Sequence, residues 1–258
     1  WAHGPIFDSF SILYTKSTFS FSLIHDSVLQ ITVFQELNRW KTKTDLRLFN
    51  DVVLRRSDLD ILNGPNYLND RVIEFYLSYL STLHTSPTIS LIPPSIAFWI
   101  SNCPDTESLK DFIKPLRLLD SDELNDNLNV ELAEGGLHWS LLVYYKETNS
   151  FFHHDSFMGA NQWNARQLYK AVSPFVSDGD AAYRECSDTP QQKNGYDCGV
   201  HILATAQVIC KWFSSGGMKN RDELWLGDVK QTVPNVVNHL RDEILGLIRR
   251  LMSEMVVE

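Results

Sequence analysis

The sequence predicts an α+β fold in which two paired strands lie mid-chain with helices before and after them. Leu137–Tyr145 has the pattern of a buried strand, and Ser150–Phe157 that of a second, with a polar turn between them. Cys198–Phe213 is apolar almost all round, which predicts a long buried helix. We therefore expect a hairpin packed against a central helix.

Further helices are predicted on both sides of the hairpin. Asn69-Asp70 precedes apolar residues at helical spacing as far as Leu83, so these two residues are expected to cap an amphipathic helix. Pro93-Pro94 is expected to open a second helix. Additional helices are predicted over residues 107–113, 164–175 and 224–255.

The domain organisation follows from a change in composition near residue 46. Of the 258 residues, 43% are hydrophobic and 21% charged, which is typical of a globular protein. Residues 1–46 are rich in Ser, Thr and Phe with mixed periodicity, and we predict an appended segment of unknown order there. Residues 47–258 are predicted to form the folded domain.

The charge balance excludes two classes of partner. The chain has 23 Lys and Arg against 32 Asp and Glu, a net charge of -9. An acidic chain without a basic stripe predicts no nucleic-acid or membrane binding and favours a partner with a basic face. No apolar run reaches the ~18 residues of a membrane span, and the sequence predicts no secretory signal.

The four cysteines, Cys103, Cys186, Cys198 and Cys210, contain no CxxC pair. Their number and spacing predict neither a zinc site nor a dense disulfide framework. Scattered cysteines are typical of a reducing compartment, so we expect a cytoplasmic or nuclear location.

The hairpin brings one pair of ionisable residues together. If it turns about the Lys146–Glu147 bond, His138 and Asp155 face each other with Cβ atoms roughly 5 Å apart. A carboxylate beside an imidazole fixes its tautomer and stabilises the imidazolium. A surface His–Asp pair at a hairpin end is the alternative interpretation.

Cys198 is the candidate nucleophile because a loop over residues 190–195 precedes it and the buried helix starts around it. The positive end of a helix dipole favours a thiolate at that position. The alternative is an inert buried cysteine that opens a core helix. Gly199 is expected to leave space for a substrate backbone beside the sulfur, whereas Cys210 lies mid-helix.

Two further side chains are candidates for the site. Gln192 carries an amide six residues before Cys198 and could join the Cys198 backbone N–H in an oxyanion hole. Trp139 follows His138, so a strand directs it to the opposite face of the sheet. Both a core tryptophan and a cover over the substrate cleft are consistent with that placement.

Together these residues resemble the Ulp/sentrin-type cysteine proteases, and within them the deneddylase branch in a plant-like form. The resemblance runs from about Phe49 to the C-terminal helices and leaves residues 1–46 uncovered. The segments that carry it are His138-Trp139, Asp155-Ser156, Gln192, Asn194–Gly199, Gly135–Val143, Asn149–His153, Asn50–Asp58 and Tyr67–Asp70, the last matching the family's Trp-Leu-Asn-Asp.

The resemblance implies a papain-like fold with a mostly antiparallel central sheet and the nucleophile at the N-terminus of a buried helix. It implies cleavage after the C-terminal Gly-Gly of a ubiquitin-like modifier, without a cofactor or metal. Cys198 would be the nucleophile, His138 the general base and acid, and Asp155 its orienter. Gln192 and the Cys198 amide would form the oxyanion hole.

The resemblance also implies how the substrate is held. Trp139 would cover a narrow tunnel for Gly-Gly, with Tyr67 as the second wall where the family usually has Trp. Gly199 would border the substrate backbone, and Asp70 is available to meet an arginine of the modifier tail. The expected partners of this protein, itself predicted to be a monomer, are the neddylation modifier and its conjugates, such as cullins.

One departure from the family pattern leaves alternatives open. Residues 119–129 contain no apolar run where the family usually has a strand, so we expect an unpaired edge beside the His138 hairpin. Such an edge predicts lower stability and activity. A SUMO-specific protease shares every catalytic residue, and a non-catalytic modifier-binding protein is the alternative if the missing strand disables the site.

Overall fold

The computed structural model describes residues 10–18, 45–49, 52–84, 89–103, 109, 136–176, 179–216 and 224–254. Seven strands lie within these residues, five of them in one sheet of order β4-β1-β5-β6-β7 and two in a separate β2-β3 ribbon. The strands are β1 (Phe10–Thr18), β2 (Asp45–Phe49), β3 (Val52–Arg55), β4 (Ile89–Leu91), β5 (Gly136–Tyr145), β6 (Ser150–His154) and β7 (Ala182–Glu185).

The helices of the described residues confirm most of the predicted ones. Asn69 caps the second helix, since its side-chain oxygen accepts the Val72 N–H at 3.1 Å. The predicted helix over 107–113 falls almost wholly outside the described residues. The six helices are α1 (Arg56–Asn63), α2 (Asp70–Leu83), α3 (Pro94–Asn102), α4 (Gln162–Val176), α5 (Cys198–Ser214) and α6 (Leu226–Glu254).

The main sheet is mostly antiparallel, as the resemblance implied, with parallel pairing confined to its two outer strands. β5 pairs antiparallel with β1 and β6, while the outer strands β4 and β7 run parallel to their neighbours. Helices cover both faces, so the α+β class is confirmed.

The hairpin forms as predicted, but its register differs by two residues from the expected one. Tyr145 pairs with Ser150, so the turn is centred one residue later than the Lys146–Glu147 bond. The loop contains four residues, of which Lys146–Thr148 form a 3-10 turn and Asn149 adopts a left-handed conformation with φ 43°. Asn tolerates that conformation better than most residues, which allows this turn. A shift by two leaves every side chain on its predicted face.

Alternation along β5 separates two cores. Leu141 and Val143 face the larger core, which is built with α2, α5 and α6. Leu142 and Tyr144 face the opposite side, toward α3 and α4. The central helix α5 is buried along nearly its whole length, as its apolar sequence predicted. Among the helices of the described ranges, none combines the length and apolar character needed to cross a bilayer.

The expected unpaired edge beside the His138 hairpin is wrong, because β1 occupies it. β1 pairs antiparallel with β5 from Phe10 opposite Tyr145 to Lys16 opposite Trp139. It also pairs in parallel with β4, so it lies between two neighbours. The sheet therefore draws residues from both sides of the boundary predicted at residue 46. Residues 119–129, which prompted the expectation, lie outside the described residues.

Candidate active site

A tight turn places Cys198 at the first position of α5. The Asn194 side-chain oxygen accepts the backbone N–H groups of Tyr196 and Asp197, at 3.0 and 2.9 Å. Its amide nitrogen donates to an Asp197 carboxylate oxygen at 2.6 Å. These bonds form an Asx turn, the local reason why the chain bends here and starts a helix. Cys198 is fully buried at the helix start.

Arg241 of α6 connects this turn to the chain just before α2. Its Nε and Nη2 atoms donate to Asp197 Oδ1 at 3.0 and 2.7 Å. The same guanidinium donates to the backbone carbonyls of Ile61 and Asn66 at 3.1 and 2.7 Å. The residue that precedes the thiol is therefore tied both to α6 and to the loop that leads into α2.

His138, Asp155 and Cys198 meet as the sequence predicted. His138 Nε2 donates to Asp155 Oδ1 at 2.5 Å, with both side chains nearly buried. Cys198 also lies close enough to act on the imidazole, and because Nε2 faces the carboxylate, Nδ1 is the ring atom available to the sulfur. The two-residue shift in register puts Asp155 diagonal to His138 on the same face, still within reach.

The electrostatics of this cluster favour a protonated imidazole. Burial by itself lowers the pKa of His138, but hydrogen bonds and charge from Asp155 and Cys198 outweigh it and raise the pKa to about 9. Burial opposes ionisation of Asp155 too, yet the hydrogen bonds it accepts hold the pKa of Asp155 below its usual value. The arrangement can hold an imidazolium between a carboxylate and a sulfur.

Asp155 is fixed by the turn that follows it. Its Oδ1 accepts the Phe157 N–H at 2.9 Å, and its Oδ2 accepts the Asn161 N–H at 3.0 Å. The Gln191 side chain donates to the Asp155 carbonyl at 3.0 Å and accepts the Met158 N–H at 2.9 Å. The carboxylate therefore cannot rotate away from His138 without breaking several bonds.

Gln192 is joined to the residue after Asp155. Ser156 donates its hydroxyl to Gln192 Oε1 at 2.8 Å, and the Gln192 backbone N–H donates to the Ser156 carbonyl, also at 2.8 Å. Gln192 Nε2 donates to the Asn194 carbonyl at 2.7 Å, which fixes the orientation of the amide. A primary amide carries two N–H groups, so this one can donate a second bond to an oxyanion.

A chain of polar side chains, buried except at its Glu185 end, leads to Asp155 and was not predicted from the sequence. His153 donates through Nδ1 to Glu185 at 2.7 Å, and its Nε2 lies 2.8 Å from the Ser140 hydroxyl. The Asn161 side chain donates to the same hydroxyl at 2.9 Å, and the Asn161 backbone holds Asp155. The only sequence signal was the alternation that places His138 and Ser140 on one face of β5.

Trp139 and Gly199 pack against Leu68. The Trp139 indole N–H donates to the Leu68 carbonyl at 3.0 Å, and the ring is buried in the larger core. A Cβ atom on Gly199 would lie 2.8 Å from the Leu68 Cβ atom, closer than real side chains approach. Gly199 thus allows α5 to approach Leu68 closely, and its expected place beside the substrate backbone stays a prediction.

Tyr67 and Asp70 flank Leu68 in the sequence. Tyr67 is half exposed, and its hydroxyl lies 3.9 Å from where a Cβ atom on Gly195 would sit, at the turn before the thiol. Asp70 begins α2. The fully buried Asp58 anchors this loop by accepting hydrogen bonds from Asn69 and Arg71 at 2.7 to 2.9 Å.

Within the described part of the chain, no three or more His, Cys, Asp or Glu side chains are grouped so as to hold a metal ion. A family model described as the Ulp1 protease family, C-terminal catalytic domain, matches residues 66–231. The chain belongs to the Ulp1 protease family. The match contains the histidine, aspartate and cysteine that the structure brings together.

Two relatives show how this Ulp1-family chain is related to characterised members. It is 77% identical over 212 residues to NEDD8-specific protease 1 of Arabidopsis thaliana, which covers 81% of this chain and 94% of that protein. It is 35% identical over 173 residues to human sentrin-specific protease 8, covering 64% of this chain and 81% of the human protein.

The crystal structure of a de-sumoylating protease superposes on this Ulp1-family chain with a TM-score of 0.52. The two are 15% identical, and the superposition covers 84% of this chain and 94% of the other. This likeness concerns the fold alone.

Proposed function

We propose that the chain is a cysteine protease that removes NEDD8 from conjugated proteins and processes its precursor, cleaving after the modifier's C-terminal Gly-Gly. The observation that carries this is the buried contact of His138 with both Asp155 and Cys198. The 77% identity to a NEDD8-specific protease supports the choice of modifier.

The chemistry follows from the site. The Cys198 thiolate attacks the terminal glycine carbonyl, and the negative oxygen receives N–H groups from Gln192 and the Cys198 backbone. His138 gives its proton to the leaving nitrogen as the C–N bond breaks and a thioester forms. The neutral imidazole then takes a proton from water, whose oxygen attacks the thioester. The C–S bond breaks, and the thiolate and imidazolium are restored as the modifier leaves with a free carboxyl group.

The roles in substrate binding form part of the same proposal. Tyr67, beside the turn before the thiol, and Trp139, which is bonded to the Leu68 carbonyl, border the path of the Gly-Gly tail. Asp70, at the start of α2, meets an arginine of that tail. Asp70→Arg is expected to raise KM more than it lowers kcat. An unchanged KM would leave Asp70 as a helix residue only.

The decisive experiment compares two cysteines of the same helix. Cys198→Ala is expected to abolish cleavage of NEDD8 carrying a C-terminal extension, whereas Cys210→Ala, buried mid-helix, is expected to retain it. Turnover by Cys198→Ala near that of the wild type would remove the proposed nucleophile.

Modifiers with a C-terminal electrophile test the choice of substrate. Covalent capture of the NEDD8 probe and not of the SUMO probe is expected. Preferential capture of SUMO would replace the proposed substrate, and reversible binding without capture would indicate a non-catalytic module. The non-catalytic alternative depended on an open sheet edge, and β1 covers that edge.

We further propose that NEDD8-bearing cullins are among the substrates, that the protein acts as a monomer, and that it works in the cytoplasm or nucleus. A reducing environment protects a nucleophilic thiol from oxidation, and all four cysteines are free. Light scattering tests the monomer. Imaging of a tagged protein in cells tests the location. An immunoblot for neddylated cullin tests the substrate.

A further inference from the structure

Three exposed apolar side chains follow the catalytic aspartate closely along the chain. Within the described residues, Phe157, Met158 and Trp163 are exposed by 60%, 81% and 69%. They fall within seven positions of one another, on the turn after Asp155 and the first turn of α4. Large apolar groups gathered at a surface mark an interaction site more often than scattered ones do.

The turn holds these side chains outward. The Phe157 N–H is bound by Asp155 and the Met158 N–H by Gln191, each at 2.9 Å. The Ala160 N–H donates to the Phe157 carbonyl, also at 2.9 Å. Because the backbone N–H groups of Phe157 and Met158 are both hydrogen-bonded, the direction in which each side chain leaves the backbone is fixed. They are displayed on a rigid support, which reduces the entropy lost on binding.

The position of the turn beside His138 indicates which part of the substrate it contacts. The Phe157 ring lies edge-on to the His138 ring, with centroids 6.0 Å apart. In the proposed reaction His138 donates its proton to the leaving nitrogen, which must come within about 3 Å of the imidazole. The leaving group that carries this nitrogen therefore lies close to the residues that contact the imidazole. The proposed function assigns the modifier tail to Tyr67, which leaves the surface beside Phe157 for the leaving group.

We propose that Phe157, Met158 and Trp163 form a docking surface for the protein from which the modifier is released. The occupant is the lysine of the isopeptide bond, whose hydrocarbon stem packs along Phe157, with the apolar surface around that lysine on Met158 and Trp163. This inference rests on the proposed function and concerns the released protein, which the modifier-binding residues do not contact.

The test compares two substrates that share the modifier and differ in the leaving group. One is NEDD8 joined through an isopeptide bond to a protein, and the other is NEDD8 carrying a C-terminal aminomethylcoumarin amide. The double variant Met158→Ser/Trp163→Ser changes the surface without touching the ring against His138. Leu83→Ser is the matched control, since Leu83 is 56% exposed at the far end of α2, roughly 20 Å from its start.

The ratio of kcat/KM for the conjugate to that for the coumarin amide is expected to fall about tenfold in the double variant, the loss expected when buried apolar contacts are removed. The control is expected to keep the wild-type ratio, and circular dichroism melting checks that both variants fold. An unchanged ratio, or an equal loss on both substrates, overturns the docking surface. A wild-type protein that cleaves neither substrate overturns the proposed function instead, so the two failures are distinguishable.

Discussion

Removing the Arg241 side chain should loosen the turn that carries the nucleophile. Arg241 donates four hydrogen bonds, two to Asp197 and one each to the carbonyls of Ile61 and Asn66. Arg241→Ala leaves the Asp197 carboxylate with the Asn194 amide and without its cation. We expect this substitution to destabilise the protein and to slow catalysis together.

The magnitude follows from the burial of the pair. Breaking a fully buried ion pair costs about 3–5 kcal/mol. The Arg241 and Asp197 side chains are 16% and 18% exposed, so water partly replaces the lost bonds, and about 2–4 kcal/mol is a fair expectation. For a domain of this size that lowers Tm by roughly 4–16 °C. The turn also positions Cys198, and because misplacement of about 1 Å costs catalysis heavily, kcat should fall by about tenfold or more.

The assay is urea unfolding together with turnover of the NEDD8 coumarin amide at a temperature where the variant remains folded. Arg241→Lys should lie between the wild type and alanine, since one ammonium cannot reach all three acceptors. Arg249→Ala, exposed on the same helix, is the matched control and should change stability by less than about 0.5 kcal/mol. If Arg241→Ala also changes stability by less than about 0.5 kcal/mol and keeps a normal kcat, the Arg241 hydrogen bonds do not position the nucleophile.

Four other perturbations test separate parts of the structure. Gly199→Ala should lower the unfolding free energy by about 1–3 kcal/mol and reduce activity, because overpacking exceeds the gain in helix propensity of at most ~1 kcal/mol; an unchanged melting curve would contradict the close approach. Burial raises the pKa of Asp58, but hydrogen bonds and the charge of Arg71 outweigh burial and lower it. The Asp58 carboxylate therefore stabilises the fold above the pKa of the unfolded chain, and this stabilisation is lost as pH falls through the lower pKa of the folded protein. Asp58→Asn should therefore flatten the acid limb of the stability curve, and an unaltered limb would count against it. The pKa of His138 is raised to about 9, so activity should decline as pH rises through that value. Asp155→Asn should move this decline to lower pH by at least about 1 unit. An alkaline decline that stays in place would argue against the ion pair between His138 and Asp155. Ile12→Pro should destabilise the protein because β1 has a partner on each side, whereas Ile12→Val should not; tolerance of proline would remove β1 from the sheet.

Local patterns account for the elements that the sequence predicted correctly. The cap at Asn69 and the apolar spacing behind it decide where α2 begins, and both are contained in a short stretch of chain. The all-round apolar character of α5 required a buried position. The hairpin placed His138 and Asp155 on one face, and an error of two residues in register did no harm because side chains repeat every second residue along a strand.

Interactions between distant parts of the chain could not be predicted in the same way. Arg241 is 44 residues from Asp197 and 175 from Asn66, and nothing in its local sequence distinguishes it from Arg249. The polar chain under Asp155 joins β5, β6, β7 and the start of α4, so it exists only after the sheet has formed. The role of Gly199 also depended on a contact with Leu68, which no spacing rule brings near it.

The place of β1 changes how the catalytic histidine is held. The resemblance begins near Phe49, and residues 10–18 belong to the segment predicted to be appended and of unknown order. Yet β1 runs along the length of β5, and its last regular pair, Lys16 with Trp139, lies one residue from His138. An edge strand frays at its ends, whereas a strand with neighbours on both sides keeps its backbone fixed. Within the described residues, the strand that carries His138 is thus held by β6, which ends one residue before Asp155, on one side and by an N-terminal segment outside the family pattern on the other.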